Sequence, residues 1–165
     1  MPDRPRLVVV NTTPIIALSL IGQLDLLHRL YDHVFLPTAV QDEVFAGGAA
    51  SIGSRELREA DWLEVVPLQD PGRADLIADL ERGEAEVLAL AQERNADLVI
   101  IDERLARRHA NRLGMRLTGT LGMLLKAKHL GVIEAVAPVI DQLRQGRIRW
   151  GDDVVTEVLR LAGER

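Results

Sequence analysis

LVVVN at 7–11 and LVIID at 98–102 are the stretches whose reading decides the fold. Each is a short unbroken aliphatic run, ended by one small polar residue (Asn11, Asp102) and followed at once by a helix-start pattern. Runs of this length and β-branched character suit strands buried on both faces, and such strands belong to parallel sheets covered by helices. Ligands of open parallel sheets bind beyond the carboxyl ends of the strands. If the two strands are parallel neighbours, Asn11 and Asp102 share one rim, and that rim is where chemistry is expected.

At 165 residues the chain fits one domain, 1–165, with room for a sizeable core. We expect the core over about 7–130 and C-terminal helices over about 131–165. Apolar residues make up 47% and aromatics 3%, which favours an aliphatic helix-and-sheet interior and argues against a platform for stacking single-stranded bases. Cysteine is absent, so disulfides and thiolate metal sites are excluded. The opening MPDRPRLVVV shows no targeting pattern, and no apolar run reaches membrane-spanning length. The expectation is a soluble cytoplasmic protein.

Charge is unevenly distributed. From Asp32 to Glu103 there are seventeen acidic residues against five basic ones, whereas 104–129 holds seven Lys or Arg and no acid. This asymmetry fits a carboxylate metal site beside a phosphate-binding surface, and it equally fits two differently charged solvated faces.

Along the chain, Thr13 reads as the N-cap of a helix with Pro14 at its first position. That helix breaks or bends near Gly22 and resumes through Leu30. A short strand over 34–36 leads into Thr38-Ala39-Val40-Gln41, which reads as a capping box. GGAASIG (47–53) is a flexible loop without phosphate-loop spacing. Next come a helix over 54–60, a strand over 63–66, a helical segment over 74–80 and the clearest helix, GEAEVLALAQER (83–94). After the second buried run we expect a basic helix (103–113), a strand near 116–118 and helices over 120–129, 133–145 and 152–162. The alternation of strand and helix gives a three-layer α/β/α sandwich with a central parallel sheet.

Glu84 lies in the first turn of its helix, on the face of Leu88 and Ala91 that packs on the sheet, while Glu86 and Glu93 fall on a more polar, solvated face. Glu43 borders the apolar face of its own helix. Asp102 can serve as a helix cap and Asn11 as a turn residue. Together the four can meet on one rim, where all-oxygen ligands without Cys or paired His favour Mg²⁺ or Mn²⁺ over zinc. Such ions beside a basic surface suit phosphodiester hydrolysis. There is no G-x-S-x-G elbow and no G-K-[ST] phosphate loop, and the four histidines are scattered without zinc spacing.

At VVVNTTPIIALSLIGQLDLL, VFLPTAVQDEV, GEAEVLALA, ADLVIIDERLARRHA and RLTGTLGMLLKAK, taken in order, the chain resembles the PIN (PilT N-terminal) domain, the nuclease fold of VapC-type toxins. The resemblance implies a parallel sheet of about four or five strands with an acidic quartet at its carboxyl edge. It places the quartet on Asn11, Glu43, Glu84 and Asp102 as metal-holding and catalytic residues, with Asn11 where the family has aspartate. Thr12 follows the first of these, Thr120 borders the pocket, and Arg104, Arg107 and Arg108 are expected to position RNA phosphates. The implied activity is a Mg²⁺- or Mn²⁺-dependent endoribonuclease, the toxin of a toxin–antitoxin pair. RNA, a small antitoxin protein and a second copy of the chain are the expected partners. The last helix carries a broad apolar stripe (Val154, Val155, Val158, Leu159, Leu161) that must cover either the sheet or another chain, and the resemblance, through helix pairing in PIN proteins, implies a homodimer. The rival reading is a PIN-like binding or regulatory module with weak or no nuclease activity.

Overall fold

Leu7–Val10 forms the central strand because its valines are fully buried, leaving no face for a polar residue until Asn11. The computed structural model describes residues 5–48, 51–146 and 148–164. Five strands, β1 (Leu7–Val10), β2 (His33–Pro37), β3 (Leu63–Val66), β4 (Leu98–Ile100) and β5 (Leu117–Thr118), form one sheet in the order β3-β2-β1-β4-β5. Every pairing is parallel, and helices flank the sheet in an α/β/α sandwich. The chain moves outward from β1 through β2 to β3, then returns to the other side of β1 for β4 and β5. The strand order therefore reverses between β1 and β4, and a crevice opens there at the carboxyl ends of the strands. Val10 pairs with Ile100, and the Asn11 N–H donates to the Ile100 carbonyl at 3.0 Å, so Asn11 stands on the lip of that crevice.

The helices are α1 (Thr12–Leu20), α2 (Leu26–Leu30), α3 (Thr38–Phe45), α4 (Ser54–Glu59), α5 (Gly72–Asp75), α6 (Arg82–Arg94), α7 (Arg104–Arg112), α8 (Thr120–His129), α9 (Ala137–Gln145) and α10 (Asp152–Leu161). Two helix starts differ from the sequence reading. Asn11, not Thr13, is the N-cap of α1, because the chain leaves β1 directly into helix. Thr38 is already helical and caps nothing. The Ala39 N–H goes instead to Glu86 Oε1 at 3.2 Å.

That bond also corrects the expected solvation of Glu86. Its carboxylate is buried, holds the start of α3 and receives Arg82 Nε at 2.7 Å. Glu93 likewise accepts the backbone N–H groups of Gln69 (2.8 Å) and Asp70 (2.9 Å). A charge facing a neighbouring element's free N–H groups is satisfied without water.

The segment over 74–80 is helical only at its start, within α5, and the helix expected from 133 begins at Ala137. In the 47–53 loop, residues 49 and 50 lie outside the described set, while the Ser51 and Ser54 hydroxyls donate to the Val44 carbonyl at 3.2 Å each. Val155 and Val158 of α10 are buried and that helix packs beside α8, so much of its apolar stripe is used within the chain. Val154 and Leu161 remain exposed. Glu164 ties this end down by accepting Val136 N–H (2.7 Å), Ala137 N–H (2.9 Å) and Lys128 Nζ (3.0 Å). Among the described residues no helix is long and apolar enough to cross a membrane.

Candidate active site

The crevice gathers side chains from five elements or their edges. Asn11 ends β1, Thr12 opens α1, Glu43 comes from α3, Glu84 from the first turn of α6, and Asp102 and Glu103 follow β4. Thr12 Oγ1 donates to Glu43 Oε2 at 2.9 Å. The other oxygen of Glu43 lies against Gly83, where any Cβ would overlap it, so α3 and α6 meet through a carboxylate and a bare backbone. Asp102 receives the Thr120 N–H on Oδ1 (2.8 Å) and the Thr120 hydroxyl on Oδ2 (2.6 Å). It therefore sits at the N-terminus of α8, where the helix dipole favours a carboxylate. Asp102 does not cap the basic helix, because Glu103 holds that position.

Glu103 is the residue the sequence reading missed. Its two oxygens accept Asn11 Nδ2 at 3.0 Å and Thr13 Oγ1 at 2.9 Å, locking the end of β1 to the end of β4. A carboxylate only accepts, so the amide nitrogen of Asn11 must face it. The Asn11 amide oxygen is then left buried with no hydrogen-bond partner. Such an orphan costs about 1–3 kcal/mol unless something binds it.

The acids sense each other. Burial raises the Glu84 carboxyl above its usual range, and the charges of Glu103, Glu81 and Glu43 add to this against the pull of the Glu81 N–H. Burial also raises Asp102, with Glu103 adding, while the two Thr120 hydrogen bonds and Arg107 pull it down. Glu103 thus acts on acids of both neighbouring elements.

Among the described residues no three His, Cys, Asp or Glu side chains have an ion-holding arrangement. The carboxylates of Glu43, Asp102 and Glu103 are instead turned onto hydroxyl groups. The donor set still suits a hard divalent cation. It is all oxygen, it is mutually repulsive, and it includes an unsatisfied amide oxygen.

Of the expected phosphate-binding residues, Arg104 and Arg107 line a cleft with Asp102, whereas Arg108 is exposed on α7 and is not part of that wall. Arg107 Nη1 is committed to the Ile101 carbonyl at 2.9 Å. Gly119 lies between Asp102 and Arg107, and a Cβ there would stand 2.5 Å from Asp102 Oδ1. Gly119→Ala is therefore expected to push Asp102 off Thr120 and raise its exposure. Proton NMR of the Thr120 amide tests this, and an unshifted resonance would contradict it.

Comparison with curated proteins gives no match. A family model described as a PIN domain matches residues 7–164, nearly the whole chain. Members of that family share a nuclease-type fold and typically use divalent metals, in keeping with the parallel sheet and the acidic crevice at its switch point. The chain belongs to the PIN-domain family.

Proposed function

We propose that the protein is a Mg²⁺- or Mn²⁺-dependent endoribonuclease of toxin–antitoxin type, with Asn11, Glu43, Glu84, Asp102 and Glu103 holding the cation. The observation that carries this reading is the buried, unpartnered Asn11 amide oxygen among raised carboxylates. When bound, the cation would activate water and offset charge on the leaving oxygen of a phosphodiester. The chain's own groups orient the reaction. Thr12 and Thr120 hold Glu43 and Asp102 in place, and Glu103 fixes the Asn11 amide. Arg104, which lines the cleft beside Asp102 with Arg107, would meet a phosphate, and the lack of Cys is consistent with a route that needs no covalent thiolate.

Glu103 bears on the neutral residue at the end of β1. The carboxylate that resemblance would put at position 11 is replaced by an amide, and a charge is supplied one hydrogen bond away. In this reading the rim keeps its negative charge although Asn11 has none.

The test is thermal unfolding with and without metal, followed by RNA cleavage. Mn²⁺ at about a hundredfold excess over its Kd adds about 2.7 kcal/mol, or about 5–10 °C in Tm for a chain of this size. Single-stranded RNA is cleaved above an Asp102→Asn blank. A chain that gains no Tm and cleaves nothing with either metal is the partner-bound module instead. That second reading is favoured by the absence of an ion-ready trio of acids among the described residues. A small antitoxin protein and a second copy of the chain are the partners this function implies, with exposed Val154 and Leu161 the apolar residues left on α10. Light scattering at micromolar concentration should give a dimeric mass, and a monomer would remove the second copy.

A further inference from the structure

Adjoining the acidic crevice, and sharing Asp102 with it, lies a cleft of about 610 Å³. Its lining combines the charged side chains of Asp102, Arg104 and Arg107 with the apolar ones of Trp150, Val154 and Val158. Trp150, in the link between α9 and α10, is half-buried, packs against the core and lines the cleft. Arg104 is exposed and has no ion-pair partner among the described residues. The nearest acids on α10 do not line the cleft, and Asp152 is turned toward Arg144 at 3.8 Å.

We propose that this cleft is a nucleotide subsite of the substrate RNA, with a base against Trp150 and the adjoining phosphate on Arg104, next to the scissile bond at Asp102. The occupant follows from the chemistry of the walls. A flat aromatic face binds a base of any sequence, and a guanidinium in the same cleft meets a phosphate. The volume is that of a small-molecule site, too small for a folded partner. The low aromatic content of the chain excludes a platform for several bases but not one stacked base at one place. The proposal takes its substrate class from the ribonuclease reading.

The experiment separates the two. The chain has two tryptophans. Trp62 stacks on His28 (ring centroids 5.0 Å apart) at the amino end of β3, whereas the cleft lies at the carboxyl rim. Trp62→Phe therefore leaves Trp150 as the sole reporter. The full-length variant is titrated with a short oligoribonucleotide in EDTA, so binding is read without cleavage. The expected result is saturable quenching of Trp150. Trp150→Leu weakens binding about tenfold, as for the loss of one stacked base, and Trp150→Phe retains most of it. Arg104→Ala reduces the log–log salt slope by about 0.7. Arg108→Ala leaves affinity within about twofold.

Quenching in EDTA from a protein that never cleaves would retain the subsite and remove the nuclease. Cleavage by native protein, with affinity and KM unchanged in Trp150→Leu, would retain the nuclease and overturn the subsite. Absent quenching together with insensitivity to Arg104→Ala overturns it as well, whatever other macromolecule the cleft then proves to bind.

Discussion

Asn11→Asp lowers the Tm of the metal-free protein by about 6–12 °C, and adding Glu103→Gln in the same chain restores it. The single change replaces an amide donating to Glu103 at 3.0 Å with a carboxylate that can only accept. A hydrogen bond to a charged group is lost, at about 1.5–3 kcal/mol, and two negative charges are pressed together. The total is about 3 kcal/mol, and Tm moves by about 2–4 °C per kcal/mol in a chain of this size. The paired change restores the bond with its polarity reversed, since the new amide at position 103 would donate where Asn11 did. With Mn²⁺ present the order inverts. On the proposed function, the single variant brings one more charge to the cation site, binds the ion at least about tenfold tighter and cleaves about tenfold faster, the equivalent of about 1.4 kcal/mol of barrier. Scanning calorimetry with EDTA and with Mn²⁺ checks both halves. An Asn11→Asp protein as stable as the native one in EDTA would show that Glu103 does not share the charge of the rim.

Glu84→Gln with Asp102→Asn should separate activity from stability. If the proposed site holds the cation, cleavage falls by about 10³-fold, roughly 4 kcal/mol of transition-state stabilisation, because two of the proposed ligands lose their charge. The metal-free protein nevertheless becomes more stable at pH 7.5. Both carboxyls are raised in the folded state, so between their ordinary and raised values the native chain holds protons that the unfolded chain has released. Stability from these two groups falls as pH rises through that window and stays lower above it. Amide replacements carry no such penalty. Subtracting the variant's pH–stability curve from that of the native protein isolates this part from Glu93 and Glu164, whose lowered carboxyls act in the opposite direction. A variant less stable than the native protein at pH 7.5 in EDTA would mean that the acids are structurally satisfied without a cation.

The central strands were legible because a strand buried on both faces admits no polar residue, and the valines of β1 meet that condition. Asn11 and Asp102 were legible for the same reason, being the first polar atoms past each run. Glu103 was not. One position before a basic helix, an acid reads as ordinary cap chemistry, and its partners Asn11 and Thr13 lie 92 and 90 residues away. Glu86 was misplaced because helical periodicity describes a helix's own faces. It cannot register that the open N–H groups of α3 are presented to one of them. Thr13 shows the same limit, a plausible cap diverted by a distant carboxylate.

The β1–β4 pairing has a consequence for how the protein is made. Asn11 leaves the ribosome long before its partners, since Glu103 follows it by 92 residues. At translation speeds of ~5–20 residues per second, roughly 5–20 s separate their synthesis. During that interval the growing polypeptide has β1 and α3 but no β4 against which to set the rim. The half-made chain thus lacks the bond between Asn11 and Glu103 that closes the acidic crevice. Circular permutation that brings 98–103 ahead of residue 7 would remove this delay and turn a loop-closure requirement into a local contact.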